Sequence, residues 1–215
     1  MIEQKKYWPK DELFRFFKRW RAITIPVNKR IENDQVVLNL NQTYQVLEQA
    51  EKIALTDCVC RSKLQNCKKP RETCLFLDKD AEKIAKNGRG RFISKDRAKE
   101  IVLMTHEEGL VHLTMYHPDD EDKSLGVLCS CCACCCHALQ GLMRMKMQDL
   151  VKPSEFIAST IWDDCINCGK CVDRCVFGAR TQEKKKNVVF NQERCFGCGL
   201  CVTTCPKQAI ELIRR

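Results

Sequence analysis

The sequence contains no long apolar run, and this absence limits where the protein can act. No stretch approaches the roughly 20 apolar residues of a membrane-spanning helix, and the first residues, MIEQKKYWPKDELFRFF, include no apolar segment of the signal-peptide type. We therefore predict a cytoplasmic protein without a membrane span, whose thiols stay reduced. The basic amphipathic segment 10–22 would permit peripheral membrane association, although packing in a core or against another protein is the commoner use of such a helix.

Sequence signatures of several enzyme classes are missing as well. There is no Cys-x3-Cys-x2-Cys run of the radical-SAM type, and NGRGRF at 87–92 lacks the third glycine and the preceding apolar strand of a dinucleotide-binding loop. We find no phosphate-binding loop, no convincing pair of carboxylates and no nucleophile elbow. We therefore regard catalysis as uncertain and predict a non-catalytic electron-transfer subunit of an oxidoreductase in preference to a self-contained enzyme.

Cysteine, in contrast, is abundant. The 215 residues include 18 cysteines, and the formal net charge is +9. In a reducing compartment so many thiols favour metal-thiolate sites, with disulfides as the alternative. The basic excess is spread along the chain and could attract nucleic acid, anionic lipid or an acidic protein, or simply be solvated.

Two copies of one cysteine pattern occupy the C-terminal quarter. DCINCGKCVDRC and RCFGCGLCVTTC each follow the spacing Cys-x2-Cys-x2-Cys-x3-Cys, and the copies start 30 residues apart. Three closely spaced cysteines can surround one face of an iron–sulfur cube, while the fourth is displaced from it. Zinc sites use separated Cys-x2-Cys pairs, so this spacing favours iron and sulfide over zinc. The residues are Cys165, Cys168, Cys171, Cys175, Cys195, Cys198, Cys201 and Cys205.

Residues 162–213 thereby resemble a bacterial-type ferredoxin with two [4Fe–4S] clusters. The resemblance implies that the fourth cysteine of each run ligates the cluster of the other run. One cluster would then be held by Cys165, Cys168, Cys171 and Cys205, and the second by Cys195, Cys198, Cys201 and Cys175. It also implies a ferredoxin-like fold of two βαβ-type pseudo-repeats, with strands at NVVF (187–190) and AIELI (209–213). Val176 replaces the proline expected after the first run, and Arg180 occupies the position equivalent to Ile210, which predicts looser packing of the first half.

The loop between the two copies carries a run of three lysines. Lys184, Lys185 and Lys186 are candidates for docking an acidic redox partner, with a solvated loop as the equally simple alternative.

The N-terminal part has ten further cysteines in two groups. TDCVCRSKLQNCKKPRETC supplies four thiols beside cationic side chains, which lower thiol pKa values and offset cluster charge. LCSCCACCCHAL supplies six, and whether this run is a helix or a loop, neighbouring thiols diverge towards two centres. His137 could also act as a ligand, as in Rieske-type centres, or be structural. The cysteines are Cys58, Cys60, Cys67, Cys74, Cys129, Cys131, Cys132, Cys134, Cys135 and Cys136.

Two cubanes would use eight of these ten thiols. We therefore expect two further [4Fe–4S] clusters that share the six-cysteine run, leaving two thiols as bystanders. The alternatives are one cluster accompanied by a different metal, an unusual iron–sulfur cluster, and a zinc or copper thiolate site. The cysteine arrangement also resembles the N-terminal part of ferredoxin-like proteins from anaerobes, a resemblance that implies iron–sulfur chemistry and no specific activity.

These observations predict an α+β protein of two domains. Residues 1–153 would form a mixed, mainly helical cysteine-rich domain, and residues 154–215 the two-cluster ferredoxin domain. The predicted function is relay of single electrons through up to four [4Fe–4S] clusters, as a subunit or docking partner of a larger redox complex with an acidic docking surface. A catalytic iron–sulfur subunit fed by the ferredoxin domain and a redox or metal sensor are the alternatives. No nucleic-acid partner is expected, because charge alone is weak support for one and no basic helix-turn-helix pattern is present.

Overall fold

The computed structural model describes residues 6–19, 35–115, 125–147, 151–184 and 186–215. The helices are α1 (Lys10–Arg19), α2 (Leu40–Gln49), α3 (Val59–Leu64), α4 (Asp78–Lys86), α5 (Lys95–Glu107), α6 (His137–Met145), α7 (Lys170–Arg174) and α8 (Leu200–Thr204). The strands are β1 (Gln35–Leu38), β2 (Ile53–Asp57), β3 (Glu72–Leu77), β4 (Arg91–Ile93), β5 (Val111–Met115), β6 (Val127–Cys131), β7 (Val151–Lys152), β8 (Phe156–Thr160), β9 (Arg180–Gln182), β10 (Val188–Phe190) and β11 (Ile210–Arg214).

A seven-stranded sheet organises the N-terminal part in the order β4-β2-β3-β6-β5-β1-β7. Its strand pairs are antiparallel except β1 with β7, which are parallel. Helices α2 and α5 pack on it over a core that includes Leu47, Leu55 and Val102, all nearly fully buried. The prediction of a mixed domain is thus confirmed in outline, and the sheet gives the domain far more β-structure than "mainly helical" implied.

Helix capping explains where two of the helices begin. Ser94 accepts a hydrogen bond from the Arg97 N–H and starts α5, and Gly109 (φ 76°) follows its end. The segment NQTYQVLEQAEKIAL predicts a helix that is capped by Asn41 and runs to Leu55, and the structure shows that this prediction is wrong. Asn39 is its cap, in a capping box with Gln42, and the helix ends before Ala50, whose extended backbone leads into β2.

The two N-terminal cysteine segments lie at the ends of sheet strands. The sequence predicts that Cys58 and Cys60 lie on one side of an extended segment, and this prediction is wrong. Cys58 is the residue before α3, and Cys60 is within that helix. The six-cysteine run is neither one helix nor one loop. Cys129 and Cys131 end β6, a turn follows at 132–136, and α6 begins at His137. Since strand side chains alternate, Cys129 and Cys131 point to one face of the sheet and Ser130 to the other.

The C-terminal part contains two copies of one structural unit. In each unit a cysteine loop leads through a left-handed glycine, Gly169 or Gly199, into a five-residue helix and then a strand. Strands β9 and β10 form one antiparallel pair and β8 and β11 another, so the predicted strands at 187–190 and 209–213 are present.

The two parts share one hydrophobic core. Phe177 and Leu200 of the C-terminal part belong to the same buried cluster as Cys58, Leu113 and Leu139 of the N-terminal part. The predicted boundary at 153/154 falls between β7, which joins the large sheet, and β8, which pairs with β11. The division into two domains at this boundary remains a prediction, because the two parts share one hydrophobic core.

The sequence also predicts two short strands around a turn at 24–40 and a loop at 117–122. Most of these strands, the loop and Lys185 lie outside the described residues, and only β1 can be described. Within the described part of the chain, no helix combines the length and apolar character needed to cross a bilayer.

Candidate metal centres

The eight C-terminal cysteines line two separate cavities. Each cavity contains three thiols of one run and the fourth thiol of the other run, which is the arrangement that the ferredoxin resemblance implies. One is lined by Cys165, Cys168, Cys171 and Cys205, and the other by Cys175, Cys195, Cys198 and Cys201. Four thiolate donors around each cavity match the ligand set of one [4Fe–4S] cluster.

The two C-terminal cavities differ in their exposure. Cys168, at the first cavity, is exposed, whereas Cys198, at the second, packs against the core shared with the N-terminal part. Burial raises the pKa of Cys201 to about 11, an effect that nearby Arg180 opposes. The Ala179 N–H donates to Cys175 Sγ at 3.2 Å, a contact that would stabilise a thiolate there.

Six N-terminal thiols line a third cavity as a ring. They are Cys58, Cys60, Cys74, Cys129, Cys131 and Cys136. Interaction with adjacent thiols lowers the pKa values of Cys58, Cys129 and Cys136 and raises those of Cys60, Cys74 and Cys131, which burial raises as well.

The cavity inside this ring has a volume of about 280 Å³, and apolar side chains such as Phe76, Met115 and Val127 complete its wall. His137 borders it, with Nδ1 3.2 Å from Cys60 Sγ. The His137 ring also stacks on Trp8 at 3.3 Å between ring centroids, and burial lowers its pKa to about 4. This placement suits a neutral histidine that orients a ligating sulfur.

The other four N-terminal thiols form a compact group. The Sγ atoms of Cys67, Cys132, Cys134 and Cys135 all lie within 4.8 Å of one another. Cys67 and Cys132 are 3.8 Å apart, and Cys134 and Cys135 are 3.9 Å apart. The six-cysteine run thus supplies three thiols to this quartet and three to the ring.

Polar side chains from three elements hold the turn that carries the quartet. Trp8 Nε1 donates to the Cys135 carbonyl at 2.7 Å, while the side-chain amides of Asn66 and Gln140 donate to the Cys134 carbonyl at 2.6 and 2.8 Å. These bonds satisfy backbone groups that would otherwise be unpaired in a buried turn. They also fix the direction of the adjacent thiols.

Arg61 lies between the ring and the quartet and was not singled out from the sequence. It is 1% exposed and donates to the carbonyls of Ser130 (2.7 Å) and Pro70 (2.8 Å) and to Thr73, with Cys132 Sγ 4.0 Å from Nη1. Burial opposes its charge, yet the negative charge on neighbouring thiols keeps the pKa of Arg61 above its usual range. Its position directly after Cys60 was the only sequence signal.

Polar contacts join the two parts of the chain beside the second C-terminal cavity. His106 Nε2 lies 2.9 Å from Thr203 Oγ1 of α8, and Arg174 donates to the His106 and Glu107 carbonyls. The Ser154 N–H donates to the Phe196 carbonyl at 3.0 Å, and Phe196 stacks on Phe177 at 4.3 Å.

The predicted docking lysines show no special arrangement. Lys184 and Lys186 are exposed, and Lys186 forms an ion pair with Glu183 in the same loop, while Lys185 lies outside the described residues. Their role remains a prediction.

Comparison with known proteins agrees with the C-terminal geometry. Residues 158–212 match the family model of the 4Fe–4S dicluster domain. Pyruvate synthase subunit PorD of Thermotoga maritima is 46% identical over 50 residues, which are 23% of this chain and 50% of that protein. The ion-translocating oxidoreductase complex of Methanosarcina acetivorans includes a subunit that is 47% identical over 49 residues, 22% of this chain and 18% of that protein.

The archaeal-type glutamate synthase [NADPH] of Dehalococcoides mccartyi is 37% identical over 59 residues, 27% of this chain and 12% of that enzyme. The matched segment is thus half or less of these relatives, and no solved structure matches the chain significantly. What they share with this chain is a matched segment of 49 to 59 residues. The C-terminal quarter of the chain is therefore a 4Fe–4S dicluster domain of the ferredoxin type.

Proposed function

We propose that this protein transfers single electrons between a redox partner and metal centres in its own N-terminal part, as a subunit or docking partner of a larger oxidoreductase. The observation that carries the proposal is the shared core. The cavity lined by Cys198 adjoins the same buried cluster that contains the N-terminal thiols, whereas Cys168 of the other cavity faces solvent. An electron accepted at the outer cluster has a direct route inwards.

The relatives support this function. Their names place the dicluster segment in a pyruvate synthase, an ion-translocating oxidoreductase complex and a glutamate synthase, all of which are redox systems. In the present chain, bound clusters would supply one-electron reduction and oxidation. The protein's own residues hold the clusters apart from water, place their thiolates and set the surrounding charge.

The partner surface is proposed to lie around the outer cavity. Ile166 is more than half exposed and lines this cavity together with Cys168 and the exposed Lys170 and Lys207. Trp162, also more than half exposed, lies three residues before Cys165 in the chain. An apolar centre with a cationic rim suits a redox protein with an acidic docking surface. The lysines of the 184–186 loop would add to this field.

A matched pair of variants tests the direction of transfer. The anaerobically purified full chain is reduced with photoexcited deazaflavin, and the cluster spectra are followed by EPR after rapid freezing. Cys198→Ala should abolish reduction of the N-terminal centres while the outer cluster still accepts electrons. Cys168→Ala should instead slow electron entry.

In the unaltered protein, the N-terminal centres should be reduced at a rate independent of protein concentration. A rate that rises with concentration, or N-terminal centres that stay oxidised while the dicluster domain is fully reduced, would refute the internal relay.

A further inference from the structure

The ten N-terminal thiols divide unequally, and this division bears on which metal centres they can hold. Two cubanes would require two groups of four thiols and would leave two thiols without a role. The structure instead has six thiols that line one cavity and a separate quartet, and every thiol belongs to one of the two groups.

We propose that the ring holds one polynuclear iron–sulfur cluster larger than a cubane, and that the quartet holds a single tetrahedral metal ion, zinc or ferrous iron. The proposal deepens the proposed function in that it specifies the N-terminal centres, but it does not depend on electron transfer being shown.

The size of the ring cavity supports the first assignment. The two cavities of the dicluster domain, each suited to one [4Fe–4S] cluster, measure about 20 Å³ each, whereas the ring cavity measures about 280 Å³. A cubane also has four irons and accepts four thiolates, two fewer than the ring provides. Both the space and the number of donors therefore exceed what one cubane uses.

The sulfur spacing of the quartet supports the second assignment. A metal–sulfur bond of about 2.3 Å in a tetrahedral site places the four sulfurs about 3.8 Å apart. Two of the six separations, 3.8 Å for Cys67–Cys132 and 3.9 Å for Cys134–Cys135, agree with this value, and the others are no longer than 4.8 Å. A cubane separates its thiolates more widely, because each binds a different iron.

The dicluster domain provides an internal comparison for this spacing. All eight of its cysteines are among the described residues, yet no three of them have Sγ atoms that all lie within 4.8 Å of one another, as those of the quartet do. The quartet is thus spaced differently from the thiols that line the two cubane sites of the same chain.

The test is a count of iron, zinc and acid-labile sulfide in the full chain, purified without oxygen. The dicluster domain accounts for about eight irons and about eight sulfides. We expect more than four further irons accompanied by sulfide, and one further metal ion without sulfide. Elemental analysis distinguishes zinc from iron in that position.

Two variants assign the metals to the sites. Cys67→Ala should remove one metal ion and leave the sulfide content unchanged, while Cys74→Ala should remove the additional sulfide-bound iron. Both variants should keep the eight irons of the dicluster domain, which shows that the chain has folded.

Loss of about four irons and four sulfides in Cys67→Ala would mean a cubane in the quartet and overturn that assignment. Only four sulfides beyond those of the dicluster domain in the unaltered protein would overturn the assignment of the ring. Both assignments are tested by counting metal ions and sulfide, so their outcome is independent of the kinetic test of electron relay. The count in the unaltered protein decides the ring assignment even where a variant fails to fold.

Discussion

Replacement of Arg180 by isoleucine should lower the reduction potentials of both clusters in the dicluster domain. Arg180 is 2% exposed, and its side chain lines both cluster cavities. One nitrogen, Nη2, donates to Thr160 Oγ1 at 2.9 Å, and the guanidinium lies over the Phe190 ring at 4.6 Å. Within the described chain, Nε and Nη1 are buried without a hydrogen-bond partner of normal geometry. The residue is thus a buried positive charge positioned between two sites that bind anionic clusters.

The size of the effect follows from Coulomb's law. Since Arg180 and Cys201 line the same cavity, the charge of Arg180 would lie on the order of 7 Å from the centre of a cluster held by that thiol. At this distance and an effective dielectric constant of about 20, one unit charge stabilises an added electron by about 2.4 kcal/mol. For a one-electron couple this corresponds to about 100 mV. Screening by solvent reduces the value little, because the side chain is buried.

Isoleucine is the appropriate replacement, because Ile210 occupies the equivalent position in the second copy. The potentials are measured by an anaerobic redox titration followed by EPR. Arg180→Lys keeps the charge and should shift the potentials much less, and Arg194→Gln removes an exposed arginine of the same domain as a control for net charge. Potentials in Arg180→Ile within about 20 mV of those in Arg194→Gln would refute the reasoning, since charge placement would then have no influence.

Three further predictions concern stability and metal loading. Gly197 and Gly88 both have positive φ, but they differ in their surroundings. A Cβ at Gly197 would collide with the Phe156 carbonyl oxygen, whereas no atom lies within 4 Å of a Cβ at Gly88. Metal analysis should therefore show a loss of about four irons in Gly197→Ala and no loss in Gly88→Ala. Burial lowers the pKa of His106 to about 4, with a contribution from Arg174, and it lowers the pKa of His112 to about 3. As the pH falls below about 6.5, these histidines therefore bind protons in the unfolded chain before they do so in the folded protein. The free energy of unfolding should then fall by up to about 1.4 kcal/mol per pH unit for each histidine, and His112→Asn should reduce that slope in urea titrations; an unchanged slope would contradict the assignment. Iron and zinc chelation should strongly reduce the near-UV circular dichroism of the N-terminal part, because seven of the 21 buried residues in its shared core cluster are cysteines that bound metal would hold together; a native spectrum after chelation would show that the core does not need metal.

The dicluster domain was predictable because its cysteines occur in two short segments with a characteristic spacing. The cysteine spacing occurs twice, and each run is short enough that its loop brings three thiols together. The fourth thiol of each cavity comes from the other run, as the ferredoxin resemblance implied. The structure adds what spacing does not report, such as the burial of Arg180. The sequence predicted looser packing there, whereas the arginine side chain fills the space and is almost fully buried.

The N-terminal sheet was largely missed for a physical reason. All five residues of β6 are buried, so it shows no alternation of polar and apolar residues, and β2 begins shortly after a helix whose apolar pattern it continues in sequence. The ring and the quartet depend on the sheet, since β6 positions Cys129 and Cys131 beside β3 and Cys74. Contacts between residues so distant in sequence leave no trace in local spacing.

Two arginines occupy equivalent positions in the two parts of the molecule. Arg61 lies between the six-thiol ring and the quartet, as Arg180 lies between the two cavities of the dicluster domain, and each is no more than 2% exposed. Burial of several thiolates is costly unless positive charge accompanies them, and a buried arginine alone is equally costly. Each arginine would therefore stabilise two neighbouring anionic sites at once. Arg180 would raise the potentials of both clusters of the dicluster domain, and Arg61 that of the cluster proposed for the ring. The driving force of the proposed electron transfer between the two parts would then reflect the difference between the two effects.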